Sequence, residues 1–415
     1  MRRSLKSPVR KFSADSQKLA SLAQSLVQSV SRLERRHWGS RLDQALQKML
    51  GNQQQQAIDS ALDHLFHTDP AGYDVLLDGV ETNSSSCQRA HEGRNYEGML
   101  LAIPVIAWTR FAIPSGQIAG EHLQALFAHL HGHVLAHQVR AVLAPALFSI
   151  DQLPRSYCDT YLLMQRMVDA ALTGKTLQLP NELPETAPFL ADTRYLLMAV
   201  TAEAREPLLR WEEEDAGLNA QASRRSVLSQ WQSQAGPNVQ LMLPGCGIEL
   251  LLPDAYYGAC READKAVRPV SLRAAVHYLT HSLGVEANQL SVVIAAVGDQ
   301  SSGMRVDEYR VSFSSGSNPE VYYGVVWPLY DEESADEEVP ADVLRRPGLP
   351  MPLSPLQQIV TALREAGVTK IQNSDTVFSP EFCDDCGAPL FCDSADEMVH
   401  AEMPEDVGQN NGHLH

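Results

Sequence analysis

The sequence predicts a mixed α/β protein: a helical N-terminal region, two related α/β modules that each close on a hairpin, and a small C-terminal tail of zinc-knuckle type. Three observations predict it. The first is the run Leu290-Ser-Val-Val-Ile-Ala-Ala-Val297, followed by a polar turn and two β-rich runs, Tyr309-Arg-Val-Ser-Phe313 and Val321-Tyr-Tyr-Gly-Val-Val-Trp327. A short apolar run bounded by turn residues marks a strand covered on both faces. The second is a similar order of elements over residues 139–211, with the same ending: Trp211 and Trp327 are each followed by an acidic run. The third is Cys383-Asp-Asp-Cys386-Gly387, in which two thiols two residues apart can face one ion and Gly tolerates the tight turn after them.

Taken in order, residues 1–95 form a basic arm and a helical region. Leu19, Leu22, Leu26, Val30 and Leu33 fall on one face of a helix predicted over 17–36. Further helices are predicted over 41–50 and 53–67. Asp69 caps another that runs to about residue 80, and 82–94 reads as a polar connection. Module 1, residues 96–215, opens on the apolar strand 99–108, where Pro104 implies an edge, a bulge or a break. A helix over 123–135, a strand over 139–148, a helix over 155–172 and a hairpin from 194–200 and 207–211 follow. Residues 215–237 bridge to module 2, residues 238–331. This module has a strand over 249–253, helices over 254–266 and 271–283, the buried strand and its hairpin. The linker, 332–355, combines an acid run with Pro340, Pro347, Pro350, Pro352 and Pro355, a composition that cannot build a core. The tail, 356–415, starts with a short helix closed by Gly367. A single mixed domain whose pieces look alike is the alternative to a duplication.

Length and charge narrow the function classes. A chain of 415 residues suits two to three domains. The net charge of −18 argues against a body that wraps nucleic acid. Residues 1–50, however, carry eleven Lys or Arg against three acids, so nucleic acid or anionic lipid is a candidate partner for this arm alone. Seven scattered Cys do not form a disulfide framework and point to a reducing compartment. No run reaches the roughly 18 apolar residues of a membrane span.

Zinc takes four ligands in a tetrahedron, and Cys383, Cys386, Cys392 and His400 supply a Cys-x2-Cys-x5-Cys-x7-His set. Four protein ligands leave no open position, so such a site is structural. A redox role needs the thiol pair at a helix start, and Ala388-Pro389 argues against a helix there. His413 and His415 are spare ligands. His129, His133 and His137 are spaced i, i+4, i+8, with His131 between them, and His277 and His281 are spaced i, i+4. A metal or proton-transfer site is one reading of them; solvent-facing helix positions is the plainer one. Gly245-Cys246-Gly247 is a nucleophile turn only if a His lies beside it. No dinucleotide, phosphate-loop or Gly-x-Ser-x-Gly motif occurs.

Three stretches together, Asp151-Gln-Leu-Pro-Arg155, Thr186-Ala-Pro-Phe-Leu-Ala-Asp-Thr-Arg-Tyr195 and Cys383-Asp-Asp-Cys-Gly-Ala-Pro-Leu390 with Val399-His-Ala-Glu-Met-Pro404, resemble an uncharacterised family of bacterial proteins, mainly betaproteobacterial. The resemblance covers the chain from about residue 63 onward. It implies a cytoplasmic bacterial protein and offers no catalytic residues. The function expected is a non-catalytic binding or assembly protein with a structural zinc knuckle and a protein partner, oligomer formation being open. The alternatives are an enzyme working between the modules through His129, His133, His277 or Cys246, and a nucleic-acid-associated protein.

Overall fold

Helix caps divide the N-terminal region. Ser13, Ser31 and Asp69 each accept a backbone N–H three residues on, and so start α1 (Ala14–Val27), α2 (Arg32–Gly51) and α4 (Pro70–Ser85). α3 (Gln55–Thr68) lies between the last two. The helix predicted over 17–36 is therefore two, because Ser31 caps a new one. Leu19 and Leu22 are buried in the bundle core, whereas Val30 and Leu33 are 95% and 75% exposed at the turn. The computed structural model describes residues 12–177, 184–213, 220–298, 306–316, 320–330, 333 and 353–403. Most of the basic arm before Phe12, most of the linker, and His413 and His415 lie outside the described residues.

The first sheet is built on one long strand. β1 (Ser86–His91), predicted as a connection, pairs with the start of β2 (Arg94–Trp108). The short β3 (Gly116–Gln117), α5 (Gly120–His133), β4 (Arg140–Leu143), β5 (Ala146–Leu147) and α6 (Tyr157–Thr173) follow. β6 (Ala191–Glu203) then pairs antiparallel with β2 on one side and β4 on the other, giving the order β1-β2-β6-β4. The rest of β2's outer edge is taken by β7 (Gly247–Leu250) and β8 (Asp254–Ala255), which come after α7 (Ala220–Met242). Pro104 falls in the gap between β8 and β7, where Leu251 donates to its carbonyl at 3.1 Å and no N–H is required. Two sequence expectations change here. The strand expected to open module 2 belongs to the first sheet, so a boundary at residue 238 does not separate the sheets. The hairpin expected from 207–211 is instead one bridge, Leu135 to Leu209, followed by a 3-10 turn that buries Trp211. α5 and α7 cover one face around Leu130, Met198 and Trp231; α6 and the first half of α8 (Tyr256–Leu283) cover the other around Met164, Tyr195 and Ala259.

The second half of α8 lies under the second sheet, so the two predicted helices are one rod of 28 residues. Pro269, inside it, cannot donate to the carbonyl of Lys265. The side chain of Arg268 supplies the missing donor: its Nε reaches that carbonyl at 3.2 Å. The same guanidinium donates to the Pro328 carbonyl at 2.7 Å, makes two bonds to Glu333 and stacks 4.8 Å from the Trp327 ring centre. The sheet itself comprises β9 (Leu290–Val297), β10 (Glu308–Ser315) and β11 (Tyr323–Pro328), then, after α9 (Pro355–Glu365), β12 (Lys370–Phe378). Its order is β11-β10-β9-β12, with β12 parallel to β9. β12 was not expected from the sequence; it roots the tail in the sheet. Leu279, Ile294, Phe313, Trp327 and Ile359 form the core between this sheet and α8 and α9.

Asp264 lies in the first half of α8, and burial pushes its carboxyl up to about 6 against the pull of Arg268, with Asp192 adding to the rise. The native state then holds a proton between about pH 4 and 6 that the unfolded chain has released, so stability falls as pH rises through that window. Asp264→Asn is expected to raise stability by about 1–2 kcal/mol at pH 7, with the gain shrinking toward pH 4. Thermal unfolding at the two pH values checks it.

Candidate metal centre

The tail crosses the face of the second sheet that the helices leave open. Arg310, Ser312 and Ser314 alternate to that face of β10, while Tyr309, Val311 and Phe313 point to the helices. The tail brings irregular backbone over them, and its carbonyls need donors. Arg310, fully buried, donates through Nη1 to the carbonyls of Glu381 and Leu390 at 2.7 and 2.6 Å. These two residues flank the turn of interest and are themselves joined by Leu390 N–H to Glu381 O at 3.0 Å. Arg310 also bonds Glu308 at 2.8 Å and lies over the Phe382 ring. Ser312 donates to the Cys392 carbonyl at 2.6 Å. Gly324 on β11 makes room for the tail, since a Cβ there would lie 2.2 Å from the ring of Phe391.

Between the carbonyls held by Arg310, the chain folds tightly. Cys383 N–H donates to Ala388 O at 2.8 Å, Gly387 N–H donates to Cys383 O at 2.9 Å, and Gly387 takes φ +74°, the left-handed region Gly tolerates. The backbone N–H groups of Cys386 and Asp385 point at the Cys383 sulfur and lower its pKa, favouring the thiolate that binds metal. A second hairpin, β13 (Phe391–Cys392) with β14 (Met398–Val399), carries the chain back. Asp393 tightens its turn by accepting from the N–H groups of Ala395 and Glu397 at 2.8 and 2.9 Å. This return brings His400 to the knuckle, with Nε2 3.2 Å from Cys386 Sγ.

Cys383, Cys386 and His400 thus present ligand atoms that all lie within 4.8 Å of one another and could hold a metal ion. Glu402 stands behind His400, its carboxylate 3.1 Å from Nδ1. Nδ1 makes no well-aligned hydrogen bond there, so Glu402 stands near the ring as a charge partner. The sequence offered a signal for Glu402, the His-x-Glu spacing, which the ligand count overlooked.

The structure places the fourth expected ligand, Cys392, elsewhere. It is fully buried against Val293 and Ala295, and its thiol sits 3.7 Å from an Asp396 carboxylate oxygen. Burial, reinforced by Asp396, pushes it up to about 12, so it stays a protonated thiol packed as a small apolar side chain. Phe391 and Cys392 both enter covered positions, one beside Gly324 and one against Val293 and Ala295 on β9. With chelator present, iodoacetamide is expected to label Cys383 at least about tenfold faster than Cys392 near neutral pH. Peptide mass spectrometry over a time course checks the ratio.

The His groups do not gather. α5 ends at His133, so His137 leaves the helix row, and its Nδ1 bonds Glu213 at 2.8 Å. His129 bonds Asn238 and stacks on His133 with ring centres 6.1 Å apart; His131 packs on Phe127. His277 stacks on His281, which bonds Arg110 at 2.9 Å. Cys246 is buried at a turn whose carbonyl accepts from Gln240, and burial raises its thiol. Among the described residues, the knuckle is the one group of three that meets the ligand spacing. Of the eleven basic residues in 1–50, Lys18, Arg32, Arg35, Arg36, Arg41 and Lys48 are described, and all six lie exposed on α1 and α2. No helix of the described residues is long and apolar enough to cross a membrane.

Neither the curated proteins nor the solved structures include a match to this chain. Residues 4–414 match a family whose description is protein of unknown function, DUF2863, a span wider than the stretch from about residue 63 that the sequence resemblance covered, and the chain belongs to that family.

Proposed function

We propose that this chain is a non-catalytic binding or assembly protein of the bacterial cytoplasm, in which a zinc ion on Cys383, Cys386 and His400 fixes the tail as a docking element for a protein partner. The observation that carries the reading is the convergence of two soft thiols and one imidazole, backed by Glu402, on a turn whose backbone already favours a thiolate. The exposed Phe382 ring and the exposed Cys386 put this turn on the surface, where a partner can reach it. Metal content of the purified, untagged protein beside a Cys383→Ser/Cys386→Ser variant tests it. Near-stoichiometric zinc, lost in the variant, is the expected result. Zinc retained in the variant moves the site to the histidines, and no metal in either removes the knuckle.

A second reading rests on the count of three ligands. With Cys392 apart, a tetrahedral ion keeps one position for water or an incoming group, as catalytic zinc does. Cobalt substitution separates the two: a visible spectrum that shifts on adding cyanide favours the open site, and an unchanged one favours the structural site.

A further inference from the structure

We infer that the cleft between edge strand β1 and the C-terminal half of α6 binds a small anionic metabolite, one carrying a phosphate or paired carboxylates beside a short apolar group. The cleft measures about 570 Å³. Its cationic lining is Arg89, Arg166 and Lys175, with the His91 ring beside them, against a single carboxylate, Asp169. That balance runs against the chain as a whole, which carries −18. Cations gathered in a concavity repel one another until an anion enters, and the low-dielectric walls focus their field on the space between them.

The groups are placed for this task by ordinary strand and helix spacing. Arg89 and His91 lie two apart on β1, so both point to the same side of the strand. Arg166, Asp169 and Thr173 lie three and four apart on α6 and share a face. Arg89 is held in advance: Nη2 bonds Gln165, and Nε is ion-paired with Asp169 at 3.3 Å without a well-aligned hydrogen bond. Arg166 and Lys175 are exposed and pair with no described carboxylate. Guanidinium forks beside an ammonium suit a tetrahedral or planar oxyanion. Carbonyls at a helix C-terminus disfavour anions. Here Arg140 Nη1 takes the Leu172 carbonyl at 3.1 Å and Lys175 follows directly after the last turn, so that penalty is reduced. Leu172 and Leu177 supply the apolar wall.

The site belongs to the first sheet and stands independently of the knuckle on the second. Isothermal titration of the full chain with inorganic phosphate and, separately, succinate, at ionic strength held constant with sodium chloride, tests it. Saturable binding of at least one anion is expected, weakened at least tenfold in Arg166→Ser/Lys175→Ser. Whichever anion binds more tightly assigns the head group. Lys175→Gln, beyond the helix end, reads the same effect should the double variant unfold. No saturable heat from either anion at millimolar concentration, or equal affinity in a folded variant, overturns the inference.

Discussion

Arg310→Ala is expected to cost about 3–5 kcal/mol, the loss that follows when one partner of a buried ion pair is removed. The guanidinium is fully buried, clamps the Glu381 and Leu390 carbonyls, and pairs with Glu308. Truncation leaves the Leu390 carbonyl without its Arg310 donor, the Glu381 carbonyl with only the Leu390 N–H, and the Glu308 carboxylate without this cation. Because those carbonyls bracket the knuckle, metal affinity is expected to fall along with stability. Denaturant unfolding gives the first effect and competition with a zinc chelator gives the second. An unchanged midpoint would show that the tail holds its place without Arg310.

Metal removal is the second large effect. A ligand that binds only the folded state at a thousand times its dissociation constant stabilises by about 4.1 kcal/mol. Stripping it from the knuckle is therefore expected to speed hydrogen exchange at the Cys383, Gly387 and Leu390 amides by up to about a thousandfold, since all three are held by bonds within this turn. The amides of β9 and β10 keep sheet partners and are expected to change far less. Exchange measured with and without chelator reads both regions at once. Equal change everywhere would tie the metal to the whole fold, and no change at the knuckle would detach it from the metal.

What was legible in the sequence follows from the range of the signal. Cys383 and Cys386 declare themselves because two thiols and a Gly within five positions fix a turn by themselves. His400 was reachable by counting ligands. Cys392 was not, because nothing local tells a thiol that faces an ion from one that packs beneath a strand; the choice is made by Val293 and Ala295, about a hundred residues earlier. The second sheet shows the same limit. The β-rich run Tyr309-Arg-Val-Ser-Phe313 correctly gave a strand, but nothing local says what its polar positions meet. They face irregular backbone, and their polarity is what that backbone requires. β12 escaped notice because Lys370-Ile-Gln-Asn-Ser-Asp-Thr-Val-Phe378 is largely polar, as an edge strand with much of its surface in water can be. Short apolar runs such as 249–253 do not announce which sheet they will join, and residues 247–250 pair with β2.

The proline in α8 has a mechanical consequence. One rod carries both sheets, its first half under β2 and β6 and its second under β11 and α9. Its backbone ladder is interrupted once, at Pro269, and the gap is spanned by a side chain whose other bonds go to the strand end at Pro328 and to Glu333. Any twist of one sheet against the other concentrates at that joint. Arg268, buried and bonded to the Lys265 and Pro328 carbonyls and to Glu333, acts there as a splint across the joint.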